Sequence, residues 1–519
     1  MGEVILRRLL IIIIGTTLLV ACGNGNVGGQ VINGSDTSLS DGQLDKSTLS
    51  IIYSTPYLQS VLQNNILCPG LQSSDCQTNL NNLATNYNFN LAQVESYTDS
   101  VAAYQITYGT TDYFGNQRLV SGGVLIPNVV ESQLKGIILF DHPTVVTKYD
   151  VPSCYGGQSA VNPSYCHSGS IVGEELASLF AAADYVVVMP DYNGQGIDEG
   201  AMHPYILYPQ VNAMTGINML IATRQFLNSS GYSNNIPLNL YITGFSEGGS
   251  YALWTSKLLQ TSENSVLTNQ AYNLKYTAGI SGAYDLTNAQ MPMESANEDS
   301  ISPGNNPFNI YSISAASSAK PVLIAYALTA YGYFNANQTY NAMNQAFFNC
   351  QVNSQYGIGV CPAFFNGNNY NLADLFTLNN DNFNETNITG AVVASSLSTD
   401  YNPLGNGSNA GTYLVADGLF SNPEFNSIIN AADIANWNSS SKIGLIYLAQ
   451  DSVVTNLNSI NAFTGISVQS AANTVESQVV DNNSYFYYNQ TTHAATNIDH
   501  QQSSPFALIA ALMDFNNNP

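Results

Sequence analysis

Charge is what this chain has least of, and positive charge least of all. Of 519 residues only 11 are Lys or Arg, against 35 Asp or Glu. Charged residues make up 9%, far below the usual roughly one quarter. A formal net charge of −24 repels phosphate backbones, so nucleic acid is excluded as a partner. Solubility then falls to Asn, Ser, Thr, Gln and Tyr. Metal-ligand spacing is missing too: there is no CxxC and no HxxxH, so neither a zinc site nor any other metal or cofactor is expected. No internal repeat is present. Long apolar runs are also scarce. The stretch at 9–14, interrupted by Gly15-Thr16-Thr17, is too short for a membrane span.

What is present begins at that stretch. Arg7 and Arg8 precede it, and Leu18-Leu19-Val20-Ala21-Cys22 follows, which is the layout of a signal peptide over residues 1–21. Leu19-Val20-Ala21-Cys22 resembles the bacterial lipobox, in which cleavage leaves the cysteine N-terminal and lipid-modified. The expectation is an exported lipoprotein held to a bacterial membrane through Cys22, since a multiply acylated cysteine anchors stably. Residues 22–50, rich in Gly, Asn, Ser and Asp, are expected to be a flexible tether. The remaining six cysteines are an even number, as disulfides in an exported protein require. Proximity favours Cys68–Cys76, Cys154–Cys166 and Cys350–Cys361 among fifteen possible connectivities.

Hydrophobic residues at 45% are ample for a large core. Residues 50–100 read as a helical lead-in. Residues 103–108 and 119–126 flank a turn-rich segment and predict a hairpin. Continuous apolar runs at 136–140, 184–191, 238–245, 276–283 and 442–449 predict strands buried on both faces, and 479–488 a sixth. Helical spacing falls between them at 172–183 and 213–227, with a closing helix at 505–515. Strands alternating with helices mean an α/β fold with a mainly parallel sheet. Residues 286–441 are too long for a structureless connection and are expected to be an inserted cap. Two apolar helical segments, 319–331 and 340–348, lie within it. The core is then 51–285 plus 442–519.

The chemistry centres on Gly244-Phe245-Ser246-Glu247-Gly248-Gly249. A strand-like run enters this Gly-x-Ser-x-Gly and a helix-compatible run leaves it, the context of a nucleophile elbow. A serine nucleophile needs a base to take its proton and an acid to orient that base. In elbow proteins both follow the serine in the chain. Only His493 and His500 do, and His500, just before the closing helix, is preferred. For the acid, Asp451 past the strand at 442–449 is preferred to Asp285 past the one at 276–283. Acyl attack also creates an oxyanion that needs backbone N–H donors. One candidate is the amide of Glu247. The second should come from the loop Asp141-His142-Pro143-Thr144; Pro143 has no N–H, which leaves Thr144 or His142.

Several segments, taken in order, resemble the secreted bacterial α/β-hydrolases related to secretory lipases. They are Asp141-His142-Pro143-Thr144 with Asp150-Val151-Pro152-Ser153, Val187-Val188-Met189-Pro190-Asp191-Tyr192-Asn193-Gly194-Gln195-Gly196 with His203-Pro204-Tyr205, and the elbow itself. Asp451 with Val453-Val454, and His500 before Pro505-Phe506, complete the set. The resemblance covers about 100–285 and 440–515. It implies an α/β-hydrolase fold with an inserted cap, and hydrolysis of lipidic or other carboxylic esters through an acyl-enzyme. It departs at Pro143, where relatives often carry glycine. Peptide hydrolysis at the same site, and a non-catalytic surface binding protein, are the competing expectations.

Overall fold

The computed structural model describes residues 39–90, 100–145, 151–155, 166, 171–198, 201–232, 237–261, 265–296, 306–312, most of 323–335, 421–489 and 492–519. The signal peptide, Cys22, the pair Cys350 and Cys361, and the segment 340–348 lie outside the described residues.

Among the described residues, nine strands form one sheet in the order β1-β2-β3-β5-β4-β6-β7-β8-β9. They are β1 (Leu44–Tyr53), β2 (Val101–Thr111), β3 (Gln117–Pro127), β4 (Gly136–Asp141), β5 (Tyr185–Pro190), β6 (Asn239–Phe245), β7 (Asn273–Ile280), β8 (Lys442–Leu448) and β9 (Val475–Val480). The last six are mutually parallel, and β1 to β3 join antiparallel along one side. The predicted hairpin is β2–β3, paired from Val101 opposite Pro127 to Thr111 opposite Gln117. Its turn is held by Asp112, whose Oδ1 accepts from the amides of Phe114 and Asn116. A small second sheet pairs β10 (Phe486–Asn489) with β11 (Ala494–Asn497).

Helices cover both faces: α1 (Ser73–Tyr87), α2 (Ile171–Leu179), α3 (Pro209–Ser229), α4 (Glu247–Leu259), α5 (Pro423–Ala432), α6 (Leu457–Gln469) and α7 (His500–Asn517). Alternation along β6 shows why two layers are needed. Tyr241 packs with Phe180, just past α2, and Phe515 of α7, whereas Leu240 and Ile242 pack with Ile217 and Leu220 of α3 and Ala252 of α4. Each fully buried aliphatic of this kind contributes about 1.5–3 kcal/mol.

The order β5-β4-β6 places the functional crevice. From β4 the chain winds outward to β5, then crosses back to β6 on the opposite side of β4. Such a reversal opens a crevice beyond the carboxyl ends of the strands. Asp141 ends β4 and is paired with Gly244 near the end of β6, so the loop 141–145 and the elbow share one rim.

Three expectations need correction, each at a sheet edge or an element end. Residues 44–50, assigned to the tether by composition, belong to β1, and the lead-in therefore begins as a strand. An edge strand buries only part of one face, and the run Asp45 to Thr48 reads as polar linker. The strand expected at 479–488 is instead β9, starting at Val475, followed by a 3₁₀ turn (Asn482–Ser484) and then β10. The closing helix starts at His500 rather than 505, so His500 is helical. Asp499 supplies an N-terminal capping box with Gln502 there.

Among the described residues two disulfides form: Cys68–Cys76 spans a Cα separation of 5.1 Å and Cys154–Cys166 one of 5.4 Å. In the stretch 286–441, expected to be an inserted cap, 286–295 forms two short helical turns and parts of 323–335 are helical. Its final part packs on the core. Ile434, Ala435 and Trp437 are buried with Leu253, Trp254 and Tyr284, and the Ile434 amide donates to the Tyr284 carbonyl at 2.8 Å.

Candidate active site

Ser246 sits between β6 and α4 with φ 59° and ψ −121°. An L-residue with positive φ outside the usual left-handed well is strained, by about 1–3 kcal/mol, and persists only where its surroundings hold it. Two glycines make the corner possible. A Cβ on Gly244 would lie 2.2 Å from the Gly248 carbonyl oxygen, and one on Gly248 only 2.0 Å from that of Asp141. Any side chain at either position would push the strand, the helix and the β4 exit apart. The Ser246 amide donates to Ile280 of β7 at 2.9 Å, which pins the corner to the neighbouring strand.

The Ser246 hydroxyl is 2.9 Å from Nε2 of His500, and Nδ1 of His500 is 2.7 Å from Oδ2 of Asp451. A carboxylate oxygen can only accept, so Nδ1 carries the proton and Nε2 is left with a lone pair facing the hydroxyl. His500 is the first residue of α7, and its ring packs 4.9 Å from that of Phe245. Asp451 lies past the end of β8, its Oδ1 accepting from the amides of Val453 and Val454 at 2.8 Å each. Three elements far apart in the chain thus meet in one hydrogen-bonded line. Asp499, next to His500, accepts from the amides of His500 and Ser452. Burial, with the charge of Asp451 adding, raises its pKa above the ordinary carboxylate value.

The rival candidates are elsewhere. Asp285 caps the turn at 286–290: its Oδ1 accepts from the Asn288 amide at 2.9 Å and its Oδ2 from Asn461 at 2.8 Å. His493 is exposed in the turn between β10 and β11, 3.4 Å from the Tyr488 hydroxyl.

Glu247 is the first residue of α4, where backbone N–H groups have no partner within the helix. Its side chain is buried: Oε1 accepts from the Tyr251 hydroxyl at 2.5 Å and faces Nε2 of His203 at 2.7 Å. The ring of His142 points into the protein and stacks on Tyr192 at 4.0 Å. Burial pulls its pKa down to about 4, so it is neutral near pH 7. What His142 could offer a substrate is therefore its main chain. The Thr144 hydroxyl lies 3.4 Å from that of Tyr205.

Two buried residues went unassigned in the sequence. Asp191 directly follows β5 and accepts from the Ser153 amide (2.9 Å) and from the hydroxyls of Ser121 (2.6 Å) and Ser153 (2.5 Å). It ties β3 and the disulfide-bearing loop to the rim, although burial raises its pKa to about 6. His203 is the other, completely buried against Glu247. Both lie in motifs quoted above, but no local spacing announces a partner 38 or 44 residues away. Among the described residues no group of three His, Cys, Asp or Glu could hold a metal ion, and no helix is long and apolar enough to cross a membrane.

No protein-family model matches the chain, and no curated protein matches it in sequence. Solved structures do match. One is the rice cell wall degrading esterase LipA from Xanthomonas oryzae, with 17% identity, a TM-score of 0.61, and coverage of 92% of this chain and 100% of that one. Another, from Legionella pneumophila and provisionally named a hydrolase, has 18% identity, a TM-score of 0.57, and coverage of 92% and 98%. At such identities a likeness speaks for architecture alone. Together with the parallel sheet, its reversal at β4 and the strained turn after β6, it shows that the chain has the α/β-hydrolase fold.

Proposed function

We propose that this protein is a serine hydrolase of carboxylic esters, exported and tethered to a bacterial membrane through lipidated Cys22. The observation that carries the reading is the line Ser246–His500–Asp451, with links of 2.9 and 2.7 Å, at a strained turn after β6. Ser246 attacks the ester carbonyl while His500 takes its proton and Asp451 holds the imidazole in the reactive tautomer. The negative oxygen of the tetrahedral intermediate lies against the amide of Glu247, with Thr144 or His142 supplying the second donor. His500 then protonates the departing alcohol. Water, activated by the same histidine, releases the acid and restores Ser246.

The ester class, rather than peptides, is favoured by the esterase among the structural neighbours and by the resemblance of the quoted motifs. The insertion at 286–441, rich in Tyr and Phe, would shape the acyl pocket. Export is supported by the signal-peptide layout and by disulfides Cys68–Cys76 and Cys154–Cys166, which persist in oxidising compartments.

One experiment tests the chemistry: turnover of short and long p-nitrophenyl esters and of aminoacyl-p-nitroanilides, alongside labelling by a fluorophosphonate. Ester turnover and labelling that both vanish in Ser246→Ala are expected. Anilide turnover matching ester turnover would shift the assignment to a peptidase. Folded protein that neither turns over esters nor takes the label would sink the enzyme reading in favour of a binding protein. For the anchor, Cys22→Ala should move the protein from the membrane to the soluble fraction; unchanged fractionation would refute lipidation.

A further inference from the structure

The segment His203-Pro204-Tyr205 has no part in the chemistry above, yet it touches both flanks of the proposed oxyanion hole. His203 is fully buried, its Nε2 2.7 Å from Glu247 Oε1. Its Nδ1 is 3.0 Å from the carbonyl oxygen of Asn193, a group that can only accept. Nδ1 therefore donates, which fixes the ring at both ends. The same Glu247 oxygen accepts from Tyr251, and the Tyr251 hydroxyl in turn accepts from the amide of Ile206 at 3.1 Å. Residues 203–206 and the first turn of α4 are thus joined through two side chains of the helix.

The other flank is reached by ring stacking. Tyr192 lies between His203, at 5.7 Å and 18°, and His142, at 4.0 Å and 25°. The Tyr192 hydroxyl also donates to the main-chain oxygen of His142 at 3.0 Å. Tyr205 sets its hydroxyl 3.4 Å from that of Thr144, and its ring is stacked at 4.4 Å on Tyr326 of the insertion. One column of side chains therefore runs from the β4 exit to the start of α4, and the insertion leans on its outer end.

A buried histidine–carboxylate pair is a poor way to gain stability, because removing both groups from water costs most of what they gain from each other. What such a pair does supply is a fixed position. Oxyanion donors must stand about 2.7–3.1 Å from the developing charge, and a misplacement of about 1 Å can cost about 100-fold in rate.

We propose that His203, with Tyr251, acts through the Glu247 side chain to hold the Glu247 amide in its oxyanion-stabilising orientation. His203 and the Glu247 carboxyl are positioning groups, not proton donors to substrate. This rests on the serine-hydrolase reading. Full-length wild type, Glu247→Ala, Glu247→Gln, His203→Ala and the double alanine variant are compared on a p-nitrophenyl ester, by fluorophosphonate labelling, and by affinity for a trifluoromethyl ketone. The ketone forms an oxyanion adduct on an active serine.

Each single alanine variant is expected to lower kcat about 10- to 100-fold with KM within about threefold, and to weaken ketone binding by a similar factor. The double variant should be no worse than the worse single one, because both remove the same restraint. Glu247→Gln should recover most of the rate, since an amide nitrogen in the place of Oε1 can donate both to Nε2 of His203 and to the Tyr251 hydroxyl oxygen. Wild-type kcat in the alanine variants, a loss confined to KM, or a glutamine variant as poor as the alanine one would each overturn the proposal. If the alanine variants do not fold, Tyr251→Phe removes one hydroxyl from the same grip. It should lower kcat about 3- to 10-fold at unchanged KM, and a wild-type kcat there overturns the proposal equally. Wild type that neither turns over nor labels would sink the hydrolase reading itself and this inference with it. Labelled wild type with unaffected variants sinks the inference alone.

Discussion

Among the described residues two histidine–carboxylate pairs border the elbow, and they are alike in almost everything that can be measured on one pair. His500 with Asp451 and His203 with Glu247 are both buried, and both are 2.7 Å long. They differ at the nitrogen that faces away from the carboxylate. In His500 that nitrogen meets the hydroxyl of Ser246, a group that can give up a proton; in His203 it meets the carbonyl of Asn193, which cannot. A histidine held by a carboxylate becomes a base only when its second nitrogen is left a lone pair and something to take. Otherwise the same pair is a strut.

The largest test of that contrast is removal of the reactive pair. Ser246→Ala or His500→Ala should lower kcat on a p-nitrophenyl ester by about 10⁵- to 10⁶-fold, and removing both should cost little more than removing either. The gap between His500→Ala and His203→Ala should thus be at least about 10³-fold. Equal losses at the two histidines would erase the distinction between base and strut.

Next comes the carboxylate. Asp451→Asn leaves an amide that can donate to Nδ1, which favours the wrong tautomer at Nε2. The expected loss is about 10⁴-fold in kcat, with Ser246, His500 and the fold in place. An active Asp451→Asn would mean that another group orients His500.

A third kind of buried carboxylate sharpens the comparison, because it has no histidine. Burial pushes Asp514 of α7 up to about 6 from 3.8, against hydrogen bonds from Gln478 and Tyr276 and with the charge of Glu476 adding. A raised carboxylate pKa means stability that is complete below the unfolded value, near 4, and is lost as pH rises through about 6. Two units correspond to at most about 3 kcal/mol. In Asp514→Asn, Gln478 can turn its amide and keep a hydrogen bond. That variant should therefore gain stability relative to wild type as pH goes from 4 to 7, read as the difference in urea midpoints. A pH-independent difference would show that Asp514 does not titrate in this range.

How much of this was legible beforehand depended on distance along the chain. The elbow is a local pattern, and Ser246 could be read from six residues. Asp451 and His500 could be narrowed because chain order leaves few choices, but the preference over Asp285 and His493 rested on position alone until their contacts were known. The edge strands β1 and β9 were misread because half-exposed strands lose the continuous apolar signature of β4 and β5. The role of His203 was invisible for a different reason. Its partners Asn193 and Glu247 lie 10 and 44 residues away, and nothing in His203-Pro204-Tyr205 says which nitrogen meets which group.

The smallest expected effect falls on the residue that looked most like a catalytic acid without making the contacts of one. Asp285 follows β7 as Asp451 follows β8, and a buried carboxylate at the rim would serve in either place. Its oxygens, however, are taken by Asn288 and Asn461, and its amide by Asn458. All four bonds close the turn at 286–290 and join it to α6. Asp285→Ala should then cost about 1–2 kcal/mol in stability, as a lost cap and its stranded partners do, while kcat per folded molecule stays within about twofold. Counting folded molecules by fluorophosphonate titration separates the two effects. A kcat loss approaching that of Asp451→Asn would make Asp285 part of the relay, and position after a strand end, rather than the hydrogen bond to His500, would be what selects the acid.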